Sequence, residues 1–440
     1  MDRKRTRFLY NRCDPNVVLK PGDDRYIDLD KREVRGIDWV ARLAKRIELS
    51  NRPTCQLFTG LPGSGKSTEL LRLAKRLEDV DNTNLLVVVI DAEKLLDTST
   101  PIDVPDVLFA ILDQTERALL EAEGKDLEEE MAKGYFNRLW SWLSQTDVAL
   151  TEARFGISNV ATFTAELKIR ADLRERVRST VGAHFHRFLG EVRDELTKME
   201  ARAVALGREG LVVIFDSLEK LRGIASNWDT VLESAERIFG EGAPYLQLPI
   251  HVLYTIPPAL VSRKRFAEVD FMPMIKLYQH PKDGGGRCSD GFDAAVELVR
   301  QRVPEQDLVA LFGDKMGSRV EELIAWSGGY PREIIRLLQN AFLATNMPLE
   351  DADFRRLLDE VGDQYRKIVT ADAFPWLAQV AVDRYLTNET EKQRLTADNM
   401  LANSVVLRYL NGSDWFDLHP AVKKIPGVAA EIEKRTQAAK

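Results

Sequence analysis

Cys55-Gln56-Leu57-Phe58-Thr59-Gly60-Leu61-Pro62-Gly63-Ser64-Gly65-Lys66-Ser67-Thr68 is an apolar run that breaks into a glycine loop, and Glu69-Leu70-Leu71-Arg72-Leu73-Ala74 continues it with helical spacing. Glycines at 60, 63 and 65 let successive backbone N–H groups converge on one anion, and the helix that follows adds its positive end. In such a cradle Lys66 reaches the β- and γ-phosphates and the Ser67 hydroxyl ligates Mg²⁺, with Pro62, Ser64 and Thr68 completing the loop around ATP.

A second half is needed to hold the ion. The run Leu211-Val212-Val213-Ile214-Phe215 reads as a buried parallel strand, and Asp216 at its C-terminal end faces Mg²⁺ opposite Ser67. Ser217 follows directly, so the nearest acid in that stretch is Glu219, which orients an attacking water if the chain turns helical there; Glu93, just past the strand 85–90, is the alternative base. The absence of an acid at Ser217 predicts slow hydrolysis.

Further strands are expected at 249–255, ending in Thr255, and at 271–277, where Pro273 marks an edge. With 55–60, 85–90 and 211–216 they give a three-layer α/β core with a parallel sheet over residues 51–280, preceded by an N-terminal segment, 1–50. Residues 103–208 are too long for one crossover helix and read as a helical insertion. Helices are expected at 105–123, at 126–144 with Trp140 and Trp142, and as one long amphipathic helix from Lys168 to Leu206. A helical lid spans 290–345, where Ser327-Gly328-Gly329-Tyr330-Pro331-Arg332 ends one helix and starts the next at Glu333. An arginine at a helix start disfavours the dipole, so Arg332 is expected to meet an anion, a phosphate or a salt-bridge partner. In 346–440, helical periodicity precedes two apolar runs joined by Asn411-Gly412, a hairpin signal that suggests a winged-helix-like module.

The order Val34-Arg35-Gly36-Ile37-Asp38, the glycine loop 60–68, Asp216 with Glu219, Thr255 and the 327–332 motif resembles the additional-strand P-loop ATPases of the AAA+ and STAND type, in the origin-recognition and NLR-like branches. The resemblance implies a nucleotide-gated switch or remodeller, with Arg35 and Gly36 near the adenine, Thr255 as sensor 1 and Arg332 as sensor 2. It also implies a protein effector or a homo-oligomer as partner, as in bacterial signalling and anti-phage defence; in rings of such proteins an arginine near the sensor strand, here within Arg263-Lys264-Arg265, serves the neighbouring subunit. A DNA-binding loader or transposition-type regulator is the alternative function, and a structural module stabilised by nucleotide a third.

Composition fits an intracellular globular chain of 440 residues with net charge −7. Cys13, Cys55 and Cys288 are too scattered for a zinc ribbon or a disulfide framework, which suits a reducing cytoplasm. No stretch reaches the length of a membrane span. Residues 346–440 carry 13 Lys and Arg against 15 Asp and Glu, without the basic footprint of a phosphate-backbone surface, while Arg3–Arg7, Arg170–Arg178 and Arg263–Arg265 keep nucleic acid open.

Overall fold

The computed structural model describes residues 1–133, 163–221, 223, 226–263 and 268–438. Five strands, β1 (Cys55–Gly60), β2 (Leu86–Asp91), β3 (Leu211–Asp216), β4 (His251–Thr255) and β5 (Asp270–Met272), pair in parallel in the order β2-β3-β4-β1-β5. β4 lies between β1 and β3, so the glycine-loop strand and the Asp216 strand are separated by one additional strand.

The period of two along a strand splits the apolar residues between two layers. Val213 and Phe215 pack on one face with the helices Val104–Ala122, Ala171–Ala183, Phe185–Ala205 and Trp228–Phe239. Val212 and Ile214 pack on the other with Trp39–Glu48 and Lys66–Glu78. The described part of the long segment between β2 and β3 thus forms most of one layer of the α/β sandwich, with Val107 to Leu112 buried.

Two helix expectations there change. Of 126–144, Leu127–Lys133 is helical, and 134–144, with Trp140 and Trp142, lie outside the described residues. The single helix expected over 168–206 is three pieces, Phe163–Ile169, Ala171–Ala183 and Phe185–Ala205. The second break falls at His184 (φ −128°, ψ 29°), two residues after Gly182, which weakens a helix interior, and it seats the Phe185 ring edge-on against Tyr245 at 4.9 Å.

β5 is shorter than the expected 271–277 because Pro273 has no N–H for the ladder. Beyond it the chain changes partners: the Met274 N–H donates to Arg408 O (2.9 Å), Ile275 N–H to Gly329 O (3.0 Å) and Lys276 N–H to Val34 O (3.0 Å). This one extended segment therefore touches the N-terminal region, the 327–332 turn and the C-terminal hairpin. The hairpin is β6 (Val406–Asn411) and β7 (Ser413–Leu418), antiparallel around Gly412 (φ 72°). Its Arg408 guanidinium lies 4.2 Å from the centre of the Phe271 ring, and the Tyr409 hydroxyl donates to Gly328 O at 2.5 Å.

One apolar cluster joins the helices between Ser289 and Ala341 with those of 351–438 and the hairpin. The N-terminal helix Arg3–Arg12 belongs to it through Leu9, and Gln339 Nε2 donates to Tyr10 O (3.2 Å), so the first residues pack on the helices of this cluster rather than on the sheet. The helix expected from Glu333 begins at Pro331.

The basic clusters are largely engaged within the chain. Arg170, Arg174 and Arg178 pair with Asp172, Asp97 and Asp106. Arg263 is neither a free patch nor presented outward as a finger: its guanidinium bridges Glu236 and, at 2.8 Å, Asp398, whose side chain is fully buried. Lys264 and Arg265 lie outside the described residues. Arg263 thereby fastens the helix Glu391–Ala402 to the turn after β4. Arg263→Ala should lower stability to urea by about 3 kcal/mol, as removal of one partner from a buried pair does; a loss under about 0.5 kcal/mol, the range of an ordinary surface change, would contradict this role.

Candidate functional site

Gly63 (φ 80°) and Gly65 (φ 102°) take the left-handed backbone that side chains disfavour, and the helix Lys66–Glu78 starts directly from Gly65. A Cβ on Gly60 would lie 2.9 Å from Met272 O and 3.0 Å from Ser64 Oγ, so no larger residue fits without a shift. Above the loop opens a cavity of about 570 Å³, walled by Pro62, Gly63, Gly65, Lys66, Ser67 and Thr68 on one side. Arg332 enters from the opposite side, packed so closely that a Cβ on Gly63 would meet its Cβ at 2.6 Å.

Lys66 is buried, and burial pushes its ammonium below the ordinary lysine range. Its Nζ donates to Gly60 O (2.8 Å) and Leu61 O (3.2 Å) and lies 3.5 Å from Glu219 Oε1. Glu219 gets there by an unusual turn. Ser217 adopts φ 68°, a left-handed conformation in a non-glycine residue, and the 3₁₀ turn Leu218–Lys220 then carries the acid back beneath the loop. Burial favours the neutral acid at Glu219, but the Lys66 ammonium and the hydrogen bonds to the carboxyl together outweigh it and hold the carboxyl below its usual range. The Thr255 hydroxyl fixes this turn, accepting from Leu218 N–H (3.0 Å) and donating to Phe215 O (3.3 Å).

Asp216 sits one layer deeper. Burial and then the Glu219 charge raise its pKa to about 6, against the Ser67 hydroxyl bond that lowers it. Five buried polar atoms around this centre have no hydrogen-bond partner among the described residues: Arg35 Nε, Ser64 Oγ, Asp216 Oδ1, Glu219 Oε2 and Arg332 Nε. Unpaired buried polar atoms are costly and rare, and here they converge on a glycine cradle. That donor and acceptor set fits a nucleotide phosphate chain with a divalent cation: Lys66, Arg332 and the loop amides toward the phosphates, Ser67 and Asp216 toward the metal.

Other expected residues fall differently. Arg35 lies under the loop, its Nη1 bonded to Glu69 Oε1 (3.2 Å) and its Nη2 3.3 Å from where a Cβ on Gly65 would be, and it lines the cavity. Gly36 does not line it; its positive φ (85°) lets Leu410 of the hairpin approach to 2.5 Å of a Cβ position. Thr255 and Asp216 stay behind the wall. Glu93 is on the wall, ion-paired with Lys220. The residues that sequence reading missed are Lys220 and the segment around Val18, Tyr26 and Ile27, which closes the far side with Leu298 and Ile335. That segment has no apolar period to find it by, and Leu19 N–H docks it on Thr68 Oγ1 at 3.2 Å.

No protein-family model matches this chain, and no curated protein matches it. Among solved structures, the chain is similar to a Walker-type ATPase of Pyrococcus abyssi, at 15% identity over 97% of this chain and 99% of that one with a TM-score of 0.42. It is also similar to the ORC2 protein of Aeropyrum pernix in its ADPNP–ADP complexes (11% identity, 97% and 98% covered, TM-score 0.40) and to Drosophila ORC bound to DNA (12%, 99% and 93%, 0.39).

The raised pKa of Asp216 carries a sign. The folded chain holds this proton more tightly than an unfolded aspartate does, so ionisation removes stability as pH rises through about 6. Asp216→Asn stays neutral and should melt higher than the nucleotide-free parent at pH 8, with the advantage gone below about pH 4, the ordinary aspartate range. Melting curves at the two pH values check this; an advantage independent of pH would contradict it.

Proposed function

We propose that this chain is an ATP-binding, slowly hydrolysing switch of the AAA+ and STAND kind, gated by the terminal phosphate. The observation that carries the reading is Lys66, buried at the foot of the glycine cradle with backbone carbonyls and Glu219 as partners, facing a cavity that Arg332 closes from the lid side. Lys66 would exchange those partners for phosphate oxygens, and the loop amides would cradle them. Mg²⁺, held by Ser67 and Asp216, would neutralise phosphate charge and fix its geometry. Glu219, released as a carboxylate when Lys66 turns to the phosphates, is the proposed acceptor for the proton of an attacking water. Turnover is expected to be slow because Ser217 stands where an acid would follow Asp216 directly. Thr255 would position Glu219 through the Leu218 amide, and Arg35 would support the loop from beneath.

Arg332 belongs to the helix Pro331–Ala341, within the cluster that continues into residues 351–438. A phosphate that draws in Arg332 would therefore move that whole body against the sheet. We take the output to be a protein partner, an effector in signalling or anti-phage defence, or a second copy of the chain. The second reading, an ATP-dependent DNA-binding loader, is supported by the origin-recognition-like motif order.

Lys66→Ala should abolish ATP binding in calorimetry while the circular dichroism spectrum is kept. Glu219→Gln should retain affinity and lose turnover by about 100-fold or more. Wild-type ATP affinity in Lys66→Ala would overturn the nucleotide site; undiminished turnover in Glu219→Gln would move the base to Glu93. Duplex affinity that falls steeply with salt in the presence of ATP would favour the loader.

A further inference from the structure

The cations around the cavity differ in what holds them. Lys66 is bound to two carbonyls, Arg35 to Glu69, and Arg302 donates to Arg25 O (3.2 Å) and Leu298 O (3.1 Å). Lys220 has a looser arrangement. Its side chain is 38% exposed and its ammonium pairs with Glu93, 48% exposed, while both residues line the same cavity as Lys66 and Glu219. Lys220 follows Glu219 directly and ends the 3₁₀ turn that delivers it.

Glu93 is also tied outward. It lies in the short helix Ala92–Leu95 that follows β2, and its backbone carbonyl accepts from Lys168 Nζ at 2.5 Å, with Lys94 O at 3.3 Å from the same ammonium. Lys168 belongs to the helix Phe163–Ile169 of the segment between β2 and β3. Contacts thus run without a gap from the cavity wall, through Lys220 and Glu93, to a helix that carries no part of the phosphate cradle.

We propose that Lys220 distinguishes a nucleoside triphosphate from a diphosphate, exchanging the Glu93 carboxylate for the terminal phosphate and so loosening the helix Phe163–Ile169. The proposal rests on the nucleotide-site reading above. A half-exposed ion pair is weak and readily exchanged. A γ-phosphate, which a diphosphate lacks, carries more charge than one carboxylate and forms the stronger charge-assisted bond. When Lys220 turns inward, Glu93 loses its cation, and the short helix whose carbonyls hold Lys168 loses the contact that anchors it to the 218–220 turn.

The test measures ATP and ADP affinities by calorimetry, and hydrogen exchange of peptides covering 163–183, for the full chain and for Lys220→Ala, Lys220→Arg, Glu93→Gln and Lys66→Ala. Lys220→Ala should weaken ATP about tenfold and leave ADP unchanged, with Lys220→Arg restoring most of the difference. In the parent, ATP but not ADP should speed exchange in the 163–169 peptide; Glu93→Gln should show the faster exchange without nucleotide. Equal effects of Lys220→Ala on ATP and ADP, no effect on either, or exchange that ignores ATP would overturn the proposal. Lys66→Ala separates the two levels: if it still binds ATP, the nucleotide site itself is wrong, whereas if it does not and Lys220→Ala is silent, only the role of Lys220 fails.

Discussion

The pair Lys66–Glu219 is the contact on which the rest of the site depends. An ammonium and a carboxylate, both buried, are costly to remove from water, and their attraction offsets that cost only where other hydrogen bonds satisfy the remaining atoms. Lys66 has Gly60 O and Leu61 O, whereas Glu219 keeps one oxygen without a partner. The pair therefore holds the end of β3 against the glycine loop with a deficit on one side. An anion or a metal-bound water would remedy that deficit, so the unsatisfied atoms are an argument about the ligand as well as about stability.

Much of this was legible in the sequence because it is local chemistry. The glycines at 63 and 65 stand where the backbone needs φ near 80° and 102°, and the buried strands are continuous apolar runs. Glu219 was readable as a candidate by spacing, but its path was not, since a left-handed serine at 217 has no sequence signature and is held by Thr255 from another strand. Gly36 shows the opposite failure. Its positive φ is a real constraint, yet the close approach it permits is by Leu410, some 370 residues later in the chain. Arg263 was legible as a charge and not as a clasp, because Asp398 lies in a helix whose placement is a tertiary fact.

The residues following β5 fasten the 327–332 turn, the hairpin and the N-terminal region to the sheet edge. Pro273 ends the ladder, and three successive amides then bond to three separate parts of the chain. A Cβ on Gly329 would fall 1.9 Å from Ile275 O, and Gly329 has φ 79°, so the 327–332 turn approaches this segment as nearly as backbone can. Such contacts transmit displacement poorly as gradual strain and well as discrete repacking, since close-packed interfaces switch between arrangements rather than deform.

Two restraints of different character therefore hold the body that carries Arg332. On the sheet side of the hairpin are backbone bonds and the Arg408–Phe271 stacking; at the turn after β4 is the Arg263 bridge to Asp398 and Glu236. The bridge is electrostatic, with the arginine only 15% exposed, so it is screened little by salt and yields chiefly to a competing charge. The Arg332 contact with Gly63 is the reverse, a guanidinium packed on glycine with Nε unpaired, stabilised by shape and improved by an anion. On the proposed reading, a phosphate in the cavity would strengthen the Arg332 contact and leave the Arg263 bridge in place, because only the first of the two has an unpaired donor facing the cradle.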